Sequence, residues 1–156
     1  MISEQVKKEI SELKDRFPHR KSAILPSLHL ALKKSNYICQ EDLRQVAEIL
    51  ELPLIEVFET ASFYTMFPRK KVGQYHIQVC TNLSCSLLGA EELVEYLQNK
   101  LKIKVGETTS DGAFTLSKVE CLGSCGTAPM MQINEDYYEN LTKEKVDRIL
   151  DDLIKT

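Results

Sequence analysis

The hydrophobic period of this chain changes once, between Phe67 and Gln74. Up to Phe67, apolar residues recur three and four apart, the spacing that lines one side of an α-helix. From Gln74 they alternate, as they do in a half-buried β-strand. No single regular architecture satisfies both periods. The pattern predicts an α+β protein, with a helical segment over 1–72 followed by a small domain of mixed sheet and helices over 73–156. Pro68, the basic run Arg69-Lys70-Lys71 and Gly73 mark the boundary, and the basic run reads as a solvated linker.

In the first part, Ile2, Val6, Ile10, Leu13 and Phe17 form one stripe of an amphipathic helix that Pro18 terminates. "AILPSLHLALKKS" predicts a second helix that tolerates Pro26 near its start. "EDLRQVAEIL" and "LIEVFETASFYTMF" predict a third and a fourth, separated at Pro53.

In the second part, "YHIQVC" is a strand with Tyr75, Ile77 and Val79 on one face. A helix over about 86–100 follows, its stripe carried by Leu87, Ala90, Leu93, Val94 and Leu97. "FTLSKVEC", "MMQIN" and "YYE" read as three more strands, the last two joined by a turn at Asn134-Glu135-Asp136. Thr142 caps a final helix carrying Val146, Ile149, Leu150, Leu153 and Ile154. The order strand, helix, three strands, helix is compatible with a thioredoxin-like sandwich.

Four of the five cysteines fall in two short blocks, "VCTNLSC" and "VECLGSC". Cys80 ends the first strand and Cys85 lies at the start of the following helix; Cys121 ends the second strand and Cys125 sits in a glycine-flanked loop. All four can gather at one edge of a sheet, where α/β folds place their sites. The absence of a signal peptide places the chain in the cytosol, where a disulfide framework is disfavoured. Structural zinc and an iron–sulfur cluster both satisfy four thiolates at this spacing. A thiol–disulfide site wants C-x-x-C, which is missing. Local chemistry leans toward iron. A helix dipole beside Cys85 favours its thiolate, Gly123 and Gly126 free backbone N–H groups to approach sulfur, and Leu83, Leu88, Leu122, Pro129, Met130 and Met131 screen water.

Other features read as structural. Cys39 stands apart ahead of a helix, and His19, His29 and His76 lack ligand spacing. The net charge of −3 argues against nucleic acid or an anionic membrane surface as the main partner. "EDLRQVAEILELPLIEVFETASFY" has a helix-turn-helix rhythm, but Glu41, Asp42, Glu48, Glu51, Glu56 and Glu59 face one Arg44, and acids repel phosphates. No apolar run approaches the roughly 18 residues a spanning helix needs, so direct membrane insertion is not expected. No G-x-G-x-x-G and no G-x-x-x-x-G-K-[ST] is present to hold a nucleotide.

"VCTNLSCSLLGAEEL", "DGAFTLSKVECLGSCGTAPMMQIN" and "YYENLTKEKVDRIL" resemble the family that contains the small [2Fe–2S] subunit of NADH:quinone oxidoreductase. Related subunits of NAD-linked hydrogenases and formate dehydrogenases belong to the same family. The likeness reaches upstream to "ASFYTMF" and covers nearly the whole chain. It implies a thioredoxin-like ferredoxin domain in which Cys80, Cys85, Cys121 and Cys125 ligate a [2Fe–2S] cluster. It implies a helical segment packed on a flavin- and NADH-binding subunit, with FMN and NADH held by that partner. It also implies a one-electron carrier in the peripheral arm of a membrane-associated complex, accepting electrons from the partner's flavin. The equivalent hydrogenase or formate dehydrogenase subunit is the alternative, and a structural zinc module the remote one.

Overall fold

A computed structural model describes residues 2–33 and 35–155, so Lys34, at the end of the predicted second helix, lies outside it. The chain divides into two compact units, Met1–Lys71 and Val72–Thr156. Among the described residues no helix is long and apolar enough to cross a membrane.

The first unit is helical. Helix α1 (Glu4–Lys14) begins at Ser3, whose hydroxyl accepts from the Val6 N–H at 3.4 Å. Glu4 and Lys14 stand at the ends that suit the helix dipole. Pro26 sits in the first turn of α2 (Ile24–Leu32), where no hydrogen-bonded N–H is required of it. Helices α3 (Gln40–Leu50) and α4 (Leu54–Phe63) are separated by Glu51 in the left-handed region, φ +55°, and by Pro53. Helix α4 stops at Phe63, short of the expected Phe67. Thr60 and Ser62 turn their hydroxyls back onto the Glu56 and Phe58 carbonyls, a competition that weakens a helix end. The Ile38 N–H then donates to the Pro68 carbonyl at 2.7 Å and ties this unit's last residues into its body. Ile10, Leu28, Val46, Leu50 and Val57 are wholly buried in its core, each contributing about 1.5–3 kcal/mol by leaving water.

The second unit is built on a four-stranded mixed sheet in the order β2-β1-β3-β4. Its central strand β1 (Tyr75–Cys80) pairs in parallel with β2 (Phe114–Val119) and antiparallel with β3 (Met131–Ile133), which pairs antiparallel with β4 (Asp136–Tyr138). The register sets Ile77 between Leu116 and Ile133, and Val79 beside Met131. These side chains form one face. Leu93, Val94 and Leu97 of α6 (Ala90–Leu101) and Val146 and Leu150 of α7 (Lys143–Lys155) complete the core with them. Thr142 caps α7, its hydroxyl accepting from the Lys145 N–H at 3.2 Å. The single helix expected over 86–100 is two, because Gly89 adopts φ +93° between α5 (Leu83–Leu87) and α6. Gly73 does more than mark a linker: a Cβ there would stand 2.9 Å from the Gly112 and Ala113 carbonyls, and its N–H donates to Thr115 Oγ1 at 2.7 Å. The fold is a mixed α/β sandwich of thioredoxin-like type.

Candidate metal centre

Two strand ends and the connections that leave them set the positions of four thiols. Cys80 closes β1, and its N–H donates to the Met130 carbonyl at 3.3 Å. Asn82 caps α5, its side chain accepting from the Leu83 N–H, so the chain turns at once and returns Cys85 beside Cys80. Both are buried, 3% and 2% exposed, in an apolar pocket with Ala90 and Met130, against which Leu122 and Ala128 pack.

The second pair is different. Cys121 lies just beyond the end of β2, and Cys125 opens a short 3₁₀ turn to Thr127; both are exposed. Their sulfurs are 3.4 Å apart. Cys125 also meets the Ser84 hydroxyl of α5 and feels Cys80, so the two pairs face each other across one end of the sheet. The Ala128–Pro129 peptide that follows is cis.

Electrostatics separate the pairs further. Burial, with the Cys85 S–H donating to Cys80, pushes the Cys85 thiol up to about 11. The expected help from a helix dipole is therefore outweighed: α5 is five residues long, and desolvation of a thiolate there costs more than so short a dipole returns. Cys121 goes the other way. The Gly123 N–H points at its sulfur from 3.3 Å and holds it below the usual thiol range, while the neighbouring Cys121 raises Cys125. Gly123 sits at φ +81°, the left-handed conformation that turns its N–H toward the sulfur. Gly126 has an ordinary φ and open space around it, so the two glycines differ in role.

Among the described residues no group of three or more His, Cys, Asp or Glu side chains converges on one point as a single-ion site. The thiols come as two pairs instead. That arrangement fits a two-iron cluster, which takes two thiolates on each iron. Iron would also supply the positive charge that the buried pair lacks, since a coordinating thiol is deprotonated outright.

The remaining candidates are occupied elsewhere. Cys39 precedes α3, where its N–H donates to the Asp42 carboxylate at 3.0 Å in half of a capping box. His76, whose protonation burial disfavours, lies 2.8 Å from the Ser117 hydroxyl, and the His29 ring packs edge-on against Phe67. Arg69 of the supposed linker sits over the Phe58 ring at 5.2 Å. Arg44, the lone base of the acidic helices, is paired with Glu41 at 3.0 Å.

The description "Thioredoxin-like [2Fe-2S] ferredoxin" belongs to the family whose sequence profile matches residues 10–154. An E-type subunit of the NADH-quinone oxidoreductase of Rhizobium meliloti is 44% identical over 146 residues, covering 94% of this chain and 87% of the relative. The corresponding E-type subunit of Rickettsia conorii is 48% identical over 138 residues, covering 87% of this chain and 83% of the relative. Among solved structures, an NAD⁺-reducing [NiFe]-hydrogenase in the H₂-reduced state superposes with a TM-score of 0.72 at 22% identity. That likeness covers 85% of this chain but 22% of the hydrogenase chain, and speaks for the fold alone.

Proposed function

The chain belongs to the thioredoxin-like [2Fe–2S] ferredoxin family, and we propose that it acts as the one-electron carrier of a respiratory NADH-oxidising complex, in the manner of the E-type subunits of NADH-quinone oxidoreductase. The observation that carries this reading is the meeting of two thiol pairs at one end of a sheet. Cys80, Cys85, Cys121 and Cys125 are its ligands.

When bound, the cluster supplies a centre that takes and gives one electron at a time. The protein's own part is division of labour between the pairs. Cys80 and Cys85 hold from inside an apolar pocket, where Met130 and Ala90 keep water away. Cys121 and Cys125 hold from the surface, with the Gly123 N–H directed at sulfur. Hydride chemistry requires a cofactor this chain has no motif to bind, so NADH and FMN belong to a partner subunit. Two exposed surfaces suit docking to it. Leu83, Leu87 and Leu88 stand out beside the thiols, and Ile55, Phe58, Phe63 and Met66 stand out on and after α4. The carrier then works in the peripheral arm of its complex, outside the lipid.

The test is direct. The isolated protein should be brown, contain iron and acid-labile sulfide, and stay oxidised when mixed with NADH. Adding the flavin-binding subunit should let NADH reduce it, and Phe63→Asp should weaken that complex without altering the visible spectrum. Tight NADH binding and unaided NADH oxidation by the isolated chain would overturn the carrier reading.

A further inference from the structure

The loop bearing Cys121 and Cys125 is strapped to one stretch of chain, Tyr137 to Leu141. Tyr137 Oη donates to the Leu122 carbonyl at 2.7 Å. The Asn140 N–H donates to the Thr127 carbonyl at 2.7 Å, and the Leu141 N–H to the Pro129 carbonyl at 2.9 Å. Among these neutral ties sits one carboxylate, Glu139. Thr127 Oγ1 donates to its Oε1 at 2.7 Å, and Ser124 Oγ donates to the same oxygen. The two hydroxyls lie 2.6 Å from each other, drawn together by a shared acceptor.

The placement of these hydroxyls matters. Ser124 lies between the two cysteines and immediately precedes Cys125; Thr127 ends the 3₁₀ turn that Cys125 begins. The turn is therefore gripped on both sides of the thiol. A carboxylate only accepts, so neither hydroxyl proton is repelled by a competing donor, and charge-assisted bonds of this kind are about twice as strong as neutral ones. Lys145 Nζ donates to the Glu139 backbone carbonyl at 2.6 Å, fixing the residue from the side of α7. The exposed thiol pair lies outside the buried apolar cluster that encloses Cys80 and Cys85.

We propose that Glu139 is a positioning residue for the cluster: through Ser124 and Thr127 it fixes the spacing of Cys121 and Cys125, and its negative charge favours the oxidised state. The inference rests on the cluster reading given above. It is tested on the full chain carrying its cluster, with Glu139→Gln and Glu139→Ala. Gln keeps an acceptor oxygen and removes the charge; Ala removes both. Glu139→Gln should keep wild-type iron and sulfide content while its midpoint potential moves upward. Glu139→Ala should lose its cluster several-fold faster to an iron chelator. The cluster-free forms of both variants should melt with the wild-type chain. A Glu139→Ala protein that held its cluster as long as wild type would overturn the proposal. So would an unchanged potential in Glu139→Gln, or a matching fall in the melting temperature of the cluster-free Glu139→Ala chain. Iron and sulfide missing from the wild-type protein itself would instead sink the underlying cluster reading.

Discussion

The helical unit and the sheet unit each own cysteine, but use it differently. In the helical unit Cys39 begins a helix, and its neighbours serve a closed apolar core. In the sheet unit all four cysteines sit at strand ends or on the connections leaving them, at one end of the sheet. The difference shows where chemistry can be placed. A helix satisfies its backbone internally and spends its side chains on packing; the end of a strand leaves donors and acceptors free to face a ligand.

The sharpest break of this comparison is ligand removal. Cys80→Ala, Cys85→Ala, Cys121→Ala and Cys125→Ala should each lose most iron and acid-labile sulfide, whereas Cys39→Ala should keep both. Loss in Cys39→Ala would put chemistry in the helical unit and end the contrast. Next in size is a core cavity. Leu28 is fully buried in the helical unit, and Leu28→Ala should cost about 2–5 kcal/mol there. Denaturant unfolding followed by circular dichroism should shift, while the visible absorption of the native protein stays as it was. A changed spectrum would mean the two units are not separate in function.

A smaller effect sharpens the comparison inside the sheet unit. Gly123→Val forces a β-branched residue into φ +81°, costing about 1–2 kcal/mol, and moves the N–H that faces Cys121. Gly126→Val meets open space. Redox titration by electron paramagnetic resonance should therefore show a shifted potential or lower occupancy in the first and little change in the second; equal effects would refute the distinction. The smallest effect is electrostatic. Hydrogen bonds from Lys100 and then Tyr96 hold the Asp147 carboxyl below its usual range. A lowered value in the folded state means this pairing stabilises above the unfolded carboxylate's pKa and is lost as pH falls through the folded one. Asp147→Asn should slightly flatten the melting-temperature profile below about pH 5, where the wild-type pairing is lost. An unchanged profile would show that this exposed network contributes nothing.

Much of this was legible in the residues. The change of period marks helical and sheet regions, and parity places Ile77 and Val79 on the core face, because side chains alternate whatever surrounds them. What escaped was set by contacts distant in sequence or by single torsions. Gly89 divides one expected helix into α5 and α6, and a lone glycine in a stripe does not announce φ +93°. The burial of Cys85 reverses the effect expected from its helix, and burial is a tertiary property. Glu139 lies in an ordinary strand-to-helix connection, so nothing local signals its grip on Ser124 and Thr127.

The parallel pairing of β1 with β2 carries a consequence in time. Tyr75 pairs with Phe114 and Cys80 with Val119 across the whole α5–α6 crossover, whereas the helical unit is built largely of local turns. Contacts between residues remote along the chain form slowly, because the closure entropy of the intervening loop is lost before the pairing rewards it. The four sulfurs inherit that delay, since no shorter piece of the chain brings Cys80 and Cys121 to the same edge. The pairing that gathers the four thiols therefore carries the more distant contacts of the two units, and refolding followed by circular dichroism should show the helical half forming first.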